Sequence, residues 1–415
     1  MKKFNQVLLF IFILFLPTQL GKHFFLPFSY LSGVRVDYLA PTIYLTDIIA
    51  LILIAVNVKT VINFFRQRLV LLFMFGLLIN VCFSILPAIS IFRCFEILEW
   101  LAVFSILNKK VLSPQLIMIG LFSTSVVELL LVILQFINKH SIQGIFYFLG
   151  ERYMTLSTPG IAKAALNGIE ILRPYGTFSH PNSLAGFYLL VYFFVLLNKK
   201  LDKFILLKNF MLLFSSFLIL FSFSKIAIVL YLILNTLCWI LNTKKCRLCL
   251  IAKILVVFTV SLIFLQSSGD PLSLSNRIYL FQNAIKIITS HPVFGVGLGA
   301  YLIAQSNYPS RISYFFQQPV HNVFILFIAE AGLIISLFVF WRLFFWIRKM
   351  LKKDGFIFIA AVVLITGLFD HYWLTLQQNL LLLAVVFGDF THEPVPIKSE
   401  RFMVSRSESP LGKTF

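Results

Sequence analysis

His321 is the residue in this chain best suited to proton transfer. It stands in Pro319-Val320-His321-Asn322, at the mouth of the apolar run from Val323 to Ile347. A histidine where a helix leaves water can act as a general base, a role that needs the neutral imidazole; capping or packing is the competing use of the position. Two arginines offer complementary chemistry. Arg173 opens the stretch that ends in Ser179-His180-Pro181-Asn182, and Arg277 precedes His291-Pro292-Val293-Phe294-Gly295-Val296-Gly297-Leu298-Gly299. A guanidinium presents five donors in a fixed fork that suits phosphate oxygens. The Gly and Pro residues around His180 also read as a rigid turn, with Asn182 or Ser183 capping the next helix. The Gly-x-Gly-x-Gly stretch has neither the Lys-Ser/Thr of a phosphate loop nor a βαβ context. It is a flexible turn or a place where backbone approaches an anionic ligand closely. Lys225, between two apolar runs, is a further cation or a lysine snorkelling at a hairpin.

More polar residues fall within or beside apolar runs. Asp47, Arg93, Glu96, Glu99 and Glu128 are costly if they face lipid, so they should face a protein interior. Arg93 and Glu96 are spaced to pair on one helix face; the competing reading is a polar substrate cavity. Asp370-His371-Tyr372-Trp373, with Gln377 and Gln378 a turn further on, could bind sugar hydroxyls, with Trp373 stacking on a sugar or anchoring an interface. No His-Glu-x-x-His, Asp-x-Asp or Ser-His-Asp arrangement occurs along the chain. Neither a metal nor a cofactor is expected. Cys246-Arg247-Leu248-Cys249 lacks a second pair and reads as passive.

The elements that must position these residues are membrane helices. The chain has 415 residues, 60% hydrophobic and only 12% charged, about half the charge of a soluble protein. The fold class expected is an all-α polytopic membrane protein. Twelve apolar runs give candidate spans near 4–20, 38–57, 69–86, 88–107, 115–138, 183–198, 208–224, 226–241, 250–266, 322–347, 355–369 and 374–388. Continuous runs of this kind disfavour a barrel. The first follows Lys2-Lys3 without a small-x-small cleavage site and reads as a retained helix. Alternating the runs puts 23 of the 35 Lys and Arg on one side and ten on the other, with Arg93 and Arg342 inside spans. By the positive-inside rule the richer side, with both termini, is cytoplasmic. The net charge of +19 is then a topology signal, and no nucleic-acid partner is expected. Two long loops, 139–182 and 267–321, fall on the extracytoplasmic side, together with six of the seven histidines. Loops this long and this rich in Tyr and aliphatic residues should be ordered and functional. The second holds an amphipathic helix candidate, with Ser275 as cap and Ile278, Phe281, Ile285 and Ile288 on one face. Residues 1–388 form one integral membrane domain, and 389–415 a polar, disordered cytoplasmic tail.

These residues together resemble the O-antigen ligase/polymerase superfamily of bacterial envelopes. His321-Asn322, nine residues, then Gly332 is similar to the ligases' pattern, although Ile335 departs from the Gly, Thr or Tyr the pattern has there. Also similar are Arg173 with Gly176-Thr177-Phe178 and His180-Pro181-Asn182, Ser224-Lys225 where the family often has Ser-Arg, Arg277, and His291-Pro292 with Gly295-Val296-Gly297. The resemblance implies metal-independent glycosyl transfer at the extracytoplasmic face of the cell membrane, in surface polysaccharide or lipopolysaccharide biosynthesis. The donor would be a glycan on polyprenyl diphosphate and the acceptor a glycan, lipid or protein. His321 would be catalytic; Arg173, Arg277, Lys225, His180 and Asn322 would bind substrate. A ligase and a polymerase are both compatible with it. The alternative from another class is a transporter of a small anion or bicarbonate, or a non-catalytic polysaccharide-export component. Transporters place binding groups at mid-membrane on broken, repeated helices, whereas the polar groups here concentrate in two loops.

Overall fold

Each of the twelve apolar runs contains helix, in whole or in part, in the computed structural model, which describes residues 2–109, 113–166, 168–241, 247–267, 273–308 and 317–391. α1 (Lys2–Phe15) leads into β1 (Gly21–His23), β2 (Tyr30–Leu31), β3 (Val34–Arg35) and β4 (Thr42–Tyr44). β1 pairs antiparallel with β4, and β2 with β3. The expected span at 38–57 is therefore helical only from its eighth residue, where α2 (Leu45–Val56) begins, and α3 (Val58–Phe65) follows after an 87° bend. Next come α4 (Arg68–Cys82), α5 (Pro87–Lys109), α6 (Pro114–Asn138), the hairpin β5 (Lys163–Leu166) and β6 (Ile169–Leu172), α7 (Pro181–Leu197) and α8 (Ile205–Phe221). The chain continues through α9 (Lys225–Leu241), α10 (Arg247–Leu265), α11 (Ser273–Ser290), α12 (Tyr301–Gln305), α13 (Val323–Met350), α14 (Phe356–Phe369), α15 (Tyr372–Thr375) and α16 (Gln377–Thr391).

Among the described residues three helical stretches are long and apolar enough to cross a membrane alone: α6, Lys199–Phe221 and α13, with a fourth if α2 and α3 count as one span. α5 has the length but carries Arg93, Glu96 and Glu99. α1, α4, α7, α9 and α14 are apolar helices of 14–17 residues. α7 lies at the centre, buried on nearly every side from Ser183 to Val195 and packed against α8, α9, α14 and α16. A helix that is apolar all round finds its stable place there.

α11 forms as expected, with most of the expected stripe outward, Ile288 packed partly inward, and a neighbouring stripe buried. Leu280, Ala284 and Ile287 are buried, whereas Ile278, Phe281 and Ile285 are exposed. Ser275 is its third residue rather than its cap. Both stripes have helical spacing, so periodicity alone could not choose between them. α16 runs to Thr391, three residues past the expected edge of the membrane domain. The rest of the expected tail, 392–415, and Cys246 lie outside the described residues. At the lysine-rich end Lys199 pairs with Asp354 (2.7 Å), Lys200 with Asp389 (2.9 Å), and Lys353 Nζ donates to Phe390 O (2.6 Å). The two long loops gather at the other end.

Candidate active site

Asp370 is the centre of that end. It ends α14 in an extended conformation, and both oxygens hold backbone or side-chain donors. Oδ1 accepts from its neighbour's N–H, that of His371 (2.8 Å), and Oδ2 accepts from Asn182 Nδ2 (2.9 Å). Asn182 Oδ1 in turn accepts from Arg173 Nη2 (2.7 Å), and Arg173 Nε donates to Ser222 O (3.0 Å). His321 brings Nδ1 to 3.7 Å from Asp370 Oδ1, and His371 Nε2 stands 4.0 Å from the same oxygen. The two rings are 5.5 Å apart. His321 Nδ1 is buried and has no hydrogen-bond partner, while Nε2 lies 3.1 Å from Gln318 Oε1.

Local sequence explains the placement. Asn322 caps α13, its Oδ1 accepting from the N–H groups of Phe324 and Ile325, and its Nδ2 donates to Leu368 O (3.1 Å). One asparagine thus starts α13 and straps it to the end of α14, which sets His321 against Asp370. His180 caps α7: its Nδ1 accepts from Asn182 N (3.1 Å). His371 Nδ1 is 2.8 Å from Thr375 Oγ1. The Arg173–Asn182 loop is fixed by two buried residues of α6. Gln135 Oε1 accepts from the N–H groups of Tyr175 and Gly176, both at 2.9 Å. Glu128 accepts from the Thr177 N–H (3.1 Å) and hydroxyl. Gly176 has φ +60°, and a Cβ there would lie 2.2 Å from Glu128 Oε2.

Burial, then Arg173, pushes the His180 imidazole down to about 3. Burial lowers His371 to about 4 despite the Asp370 carboxylate. Burial opposes charge on Asp370 as well, but His321, His371 and His180 hold its carboxyl well below the usual range. Burial brings Arg173 down to about 10, so it stays charged at neutral pH. The centre is an ionised carboxylate among imidazoles, of which His180 and His371 are neutral. The Gln318 amide oxygen at Nε2 calls for the His321 proton there; closing the 3.7 Å gap from Nδ1 to Asp370 would draw the proton to Nδ1 and free Nε2 as a base.

The expected residues do not all play the parts their types suggested. His321, Arg173, His180 and Asn322 come together around Asp370. Arg277 joins them from α11: Nη1 approaches Phe369 O at 3.4 Å, and its charge reaches both Arg173 and His371. Lys225 is exposed at the first position of α9. His180 and Asn322 work as helix caps. Trp373 is buried with Nε1 on Thr366 Oγ1 (2.8 Å), so it offers no face to a sugar. Gln377 Nε2 points inward to Asp47 (2.9 Å) and Glu99 (3.2 Å). Arg93 and Glu96 do pair, at 2.6 Å.

The Gly-x-Gly-x-Gly stretch approaches backbone closely, but the backbone is that of α13. Gly332 sits at φ +74° and kinks the helix. Leu333 N donates to Pro292 O (2.8 Å), and the N–H groups of Val296 and Gly297 donate to Ala329 O and Glu330 O (both 3.0 Å). Asn80 of α4 seals the joint, donating to Phe294 O (3.0 Å) and Glu330 O (2.8 Å) and accepting from Leu298 N (2.9 Å). A Cβ at Gly295 would lie 2.4 Å from Glu330 O.

The central part of Asp370 was not visible along the chain. Its only mark was a polar Asp-His pair between Phe369 and Tyr372. Absence of a ligand motif led to the expectation of no metal, yet His321, Asp370 and His371 each offer one ligand atom within 4.8 Å of the others. That donor set, two imidazoles and a carboxylate, is one that suits a divalent transition metal.

Residues 210–341 match the O-antigen ligase family. The O-antigen ligase match begins in α8 and ends in α13, and so takes in Lys225, Arg277, the glycine loop, His321, Asn322 and Gly332. It covers about a third of the chain; Arg173, His180 and Asp370 lie outside it. No curated protein matches the chain.

Proposed function

We propose that this protein is a glycosyltransferase that ligates or polymerises glycan units carried on polyprenyl diphosphate. The observation that carries the reading is the His321–Asp370 pair inside the end where Arg173 and Arg277 meet, with His321 in the O-antigen ligase match. In the finer form all twelve apolar runs cross the cell membrane, both termini are cytoplasmic, and loops 139–182 and 267–321 are extracytoplasmic. Residues 1–388 are then one membrane domain, followed by a cytoplasmic tail. The lysine-rich opposite end supports this orientation.

Asp370 orients His321 through Nδ1, and Nε2 takes the proton from an acceptor hydroxyl. That oxygen attacks the anomeric carbon as the bond to the diphosphate breaks, and the configuration inverts. Negative charge grows on the leaving diphosphate, where Arg277 and Nη1 of Arg173 stabilise it. Gln318 now occupies the Nε2 side of His321 and gives way to the acceptor hydroxyl. His180 and Asn322 serve by positioning the starts of α7 and α13.

Transfer from a purified polyprenyl-diphosphate glycan to its acceptor, in detergent without added metal, tests the reading. A second reading, a metal held by His321, Asp370 and His371, is favoured by their clustering. EDTA separates the two: loss of wild-type turnover on chelation and recovery with one divalent ion would replace the base with a metal centre.

A further inference from the structure

A cavity of about 260 Å³ opens beside this centre, roofed by the N-terminal segment between α1 and α2. Five distant parts of the chain line it: residues 19–44, Phe92 to Glu96 of α5, the stretch at Gly150 and Arg152, Ser179, and residues 375–377. The loop carrying Gly150 docks tightly on the N-terminal segment, since a Cβ at Gly150 would lie 2.4 Å from the Gln19 carbonyl carbon. The cavity reaches the centre through two contacts. The Tyr38 ring stands edge-on to His371 at 5.6 Å. Thr375, which lines the cavity, holds His371 Nδ1 at 2.8 Å.

The lining is polar, and its three arginines and two carboxylates are all held in ion pairs. Asp37 takes Arg152 at 2.9 Å and Arg35 at 3.4 Å, and Arg93 pairs with Glu96 at 2.6 Å. A diphosphate needs cations that are not already paired. Paired charges instead offer fixed donors and acceptors, which suits hydroxyl groups. Phe25, Tyr38 and Phe92 add apolar faces among these groups, the combination that a sugar ring presents in reverse. Ser179 lines the wall, and its Oγ is turned in behind it with no hydrogen-bond partner among the described residues; a turn of the side chain toward the cavity would let a ligand hydroxyl relieve that cost. The volume is just below the range of small-molecule sites, about 300–1,000 Å³, and fits a sugar ring better than a long chain.

We propose that this cavity is a sugar-binding subsite that seats the glycan unit next to the reacting bond. The proposal rests on the transfer reading, and the sugar comes from either the acceptor or the donor glycan. The probe is the oligosaccharide repeat released by mild acid from the lipid-linked glycan of the producing cells. Its binding to the full-length protein in detergent is followed by saturation-transfer NMR. Wild type and His321→Ala bind it alike. Asp37→Asn and Ser179→Ala each weaken binding about tenfold, the loss of one good hydrogen bond. Ser179→Ala removes a hydroxyl that holds nothing in the fold, so it carries the test if Asp37→Asn melts early. Steady-state transfer then assigns the source: a raised KM for acceptor alone marks an acceptor sugar, and for donor alone a donor sugar. Unchanged binding and unchanged KM in both variants overturn the proposal while leaving transfer intact. Binding that depends on both residues in a protein with no transfer activity keeps the subsite and removes the transfer reading.

Discussion

At the scale of residues, the site works through how few donors are left free. Arg173 spends Nε on Ser222 and Nη2 on Asn182, so it holds the network as well as any donor phosphate. Arg173→Lys removes both bonds and should lower turnover as well as donor affinity, a split that separate KM and kcat measurements will show. His321→Ala should reduce transfer by at least about 100-fold, the lower bound for a general base, with insertion into the membrane unchanged. His321→Gln should not restore activity, because an amide cannot accept the proton at neutral pH. Near wild-type turnover in either variant rules out the mechanism. His180→Ala should cost less, because the lost interaction is a helix cap, worth about 1 kcal/mol. The neutral histidines also set a pH dependence. His371, lowered from 6.5 to about 4, resists protonation in the folded protein. The unfolded chain therefore binds more protons between these values, and stability falls as pH drops from 6.5 toward about 4. Thermal inactivation in detergent should occur at progressively lower temperature across that window, and His371→Gln should flatten the slope.

At the scale of elements, the joint between α13 and the glycine loop decides where His321 stands. The kink at Gly332 breaks the helical ladder, and its freed groups are taken up by the 292–297 backbone and by Asn80. Gly332→Ala should be strongly destabilising, because φ is +74° and the new Cβ would lie 2.3 Å from Val293 O. Asn80→Leu takes the side-chain partner from the Phe294 carbonyl and the Leu298 N–H, each loss costing about 1–3 kcal/mol when buried, while Glu330 O keeps the Gly297 N–H. Denaturation followed by fluorescence should show both losses, and a wild-type melting profile for Gly332→Ala would mean the kink is not held as described. α11 makes a related point. Its exposed stripe of Ile278, Phe281 and Ile285 remains available to lie along the membrane surface, while the buried stripe presents Arg277 to the centre.

At the scale of the whole molecule, chemistry gathers at one end of the helices and lysine at the other. The proposed orientation is tested by cysteines at Ser157 and Ser306, both exposed, in a background without native cysteines. Both should react with an impermeant reagent in intact spheroplasts. Protection of either one rejects the assignment of these loops to the extracytoplasmic side.

The helices were legible in the sequence because apolar runs long enough to approach a bilayer's thickness leave a chain few choices but helix. His321 and the arginines could be named as candidates because their types suit proton transfer and anion binding whatever surrounds them; that Asn322 caps α13 came only with the structure. The pairing of Arg93 with Glu96 was legible because three residues make one helical turn. What spacing could not supply was any relation between distant segments. Asp370 lies 49 positions from His321 and 188 from Asn182, and only the convergence of α7, α13 and α14 makes it their common partner. The N-terminal hairpins, short and weakly patterned, became the roof of a cavity through contacts with residues over 300 positions away. The glycines near Phe294 signalled close approach, but not to what; the kinked α13 backbone was the answer. Which stripe of α11 turned inward, the loss of Trp373 to a structural role and the place of Gln377 on the cavity wall likewise depended on neighbours that only packing brings into contact.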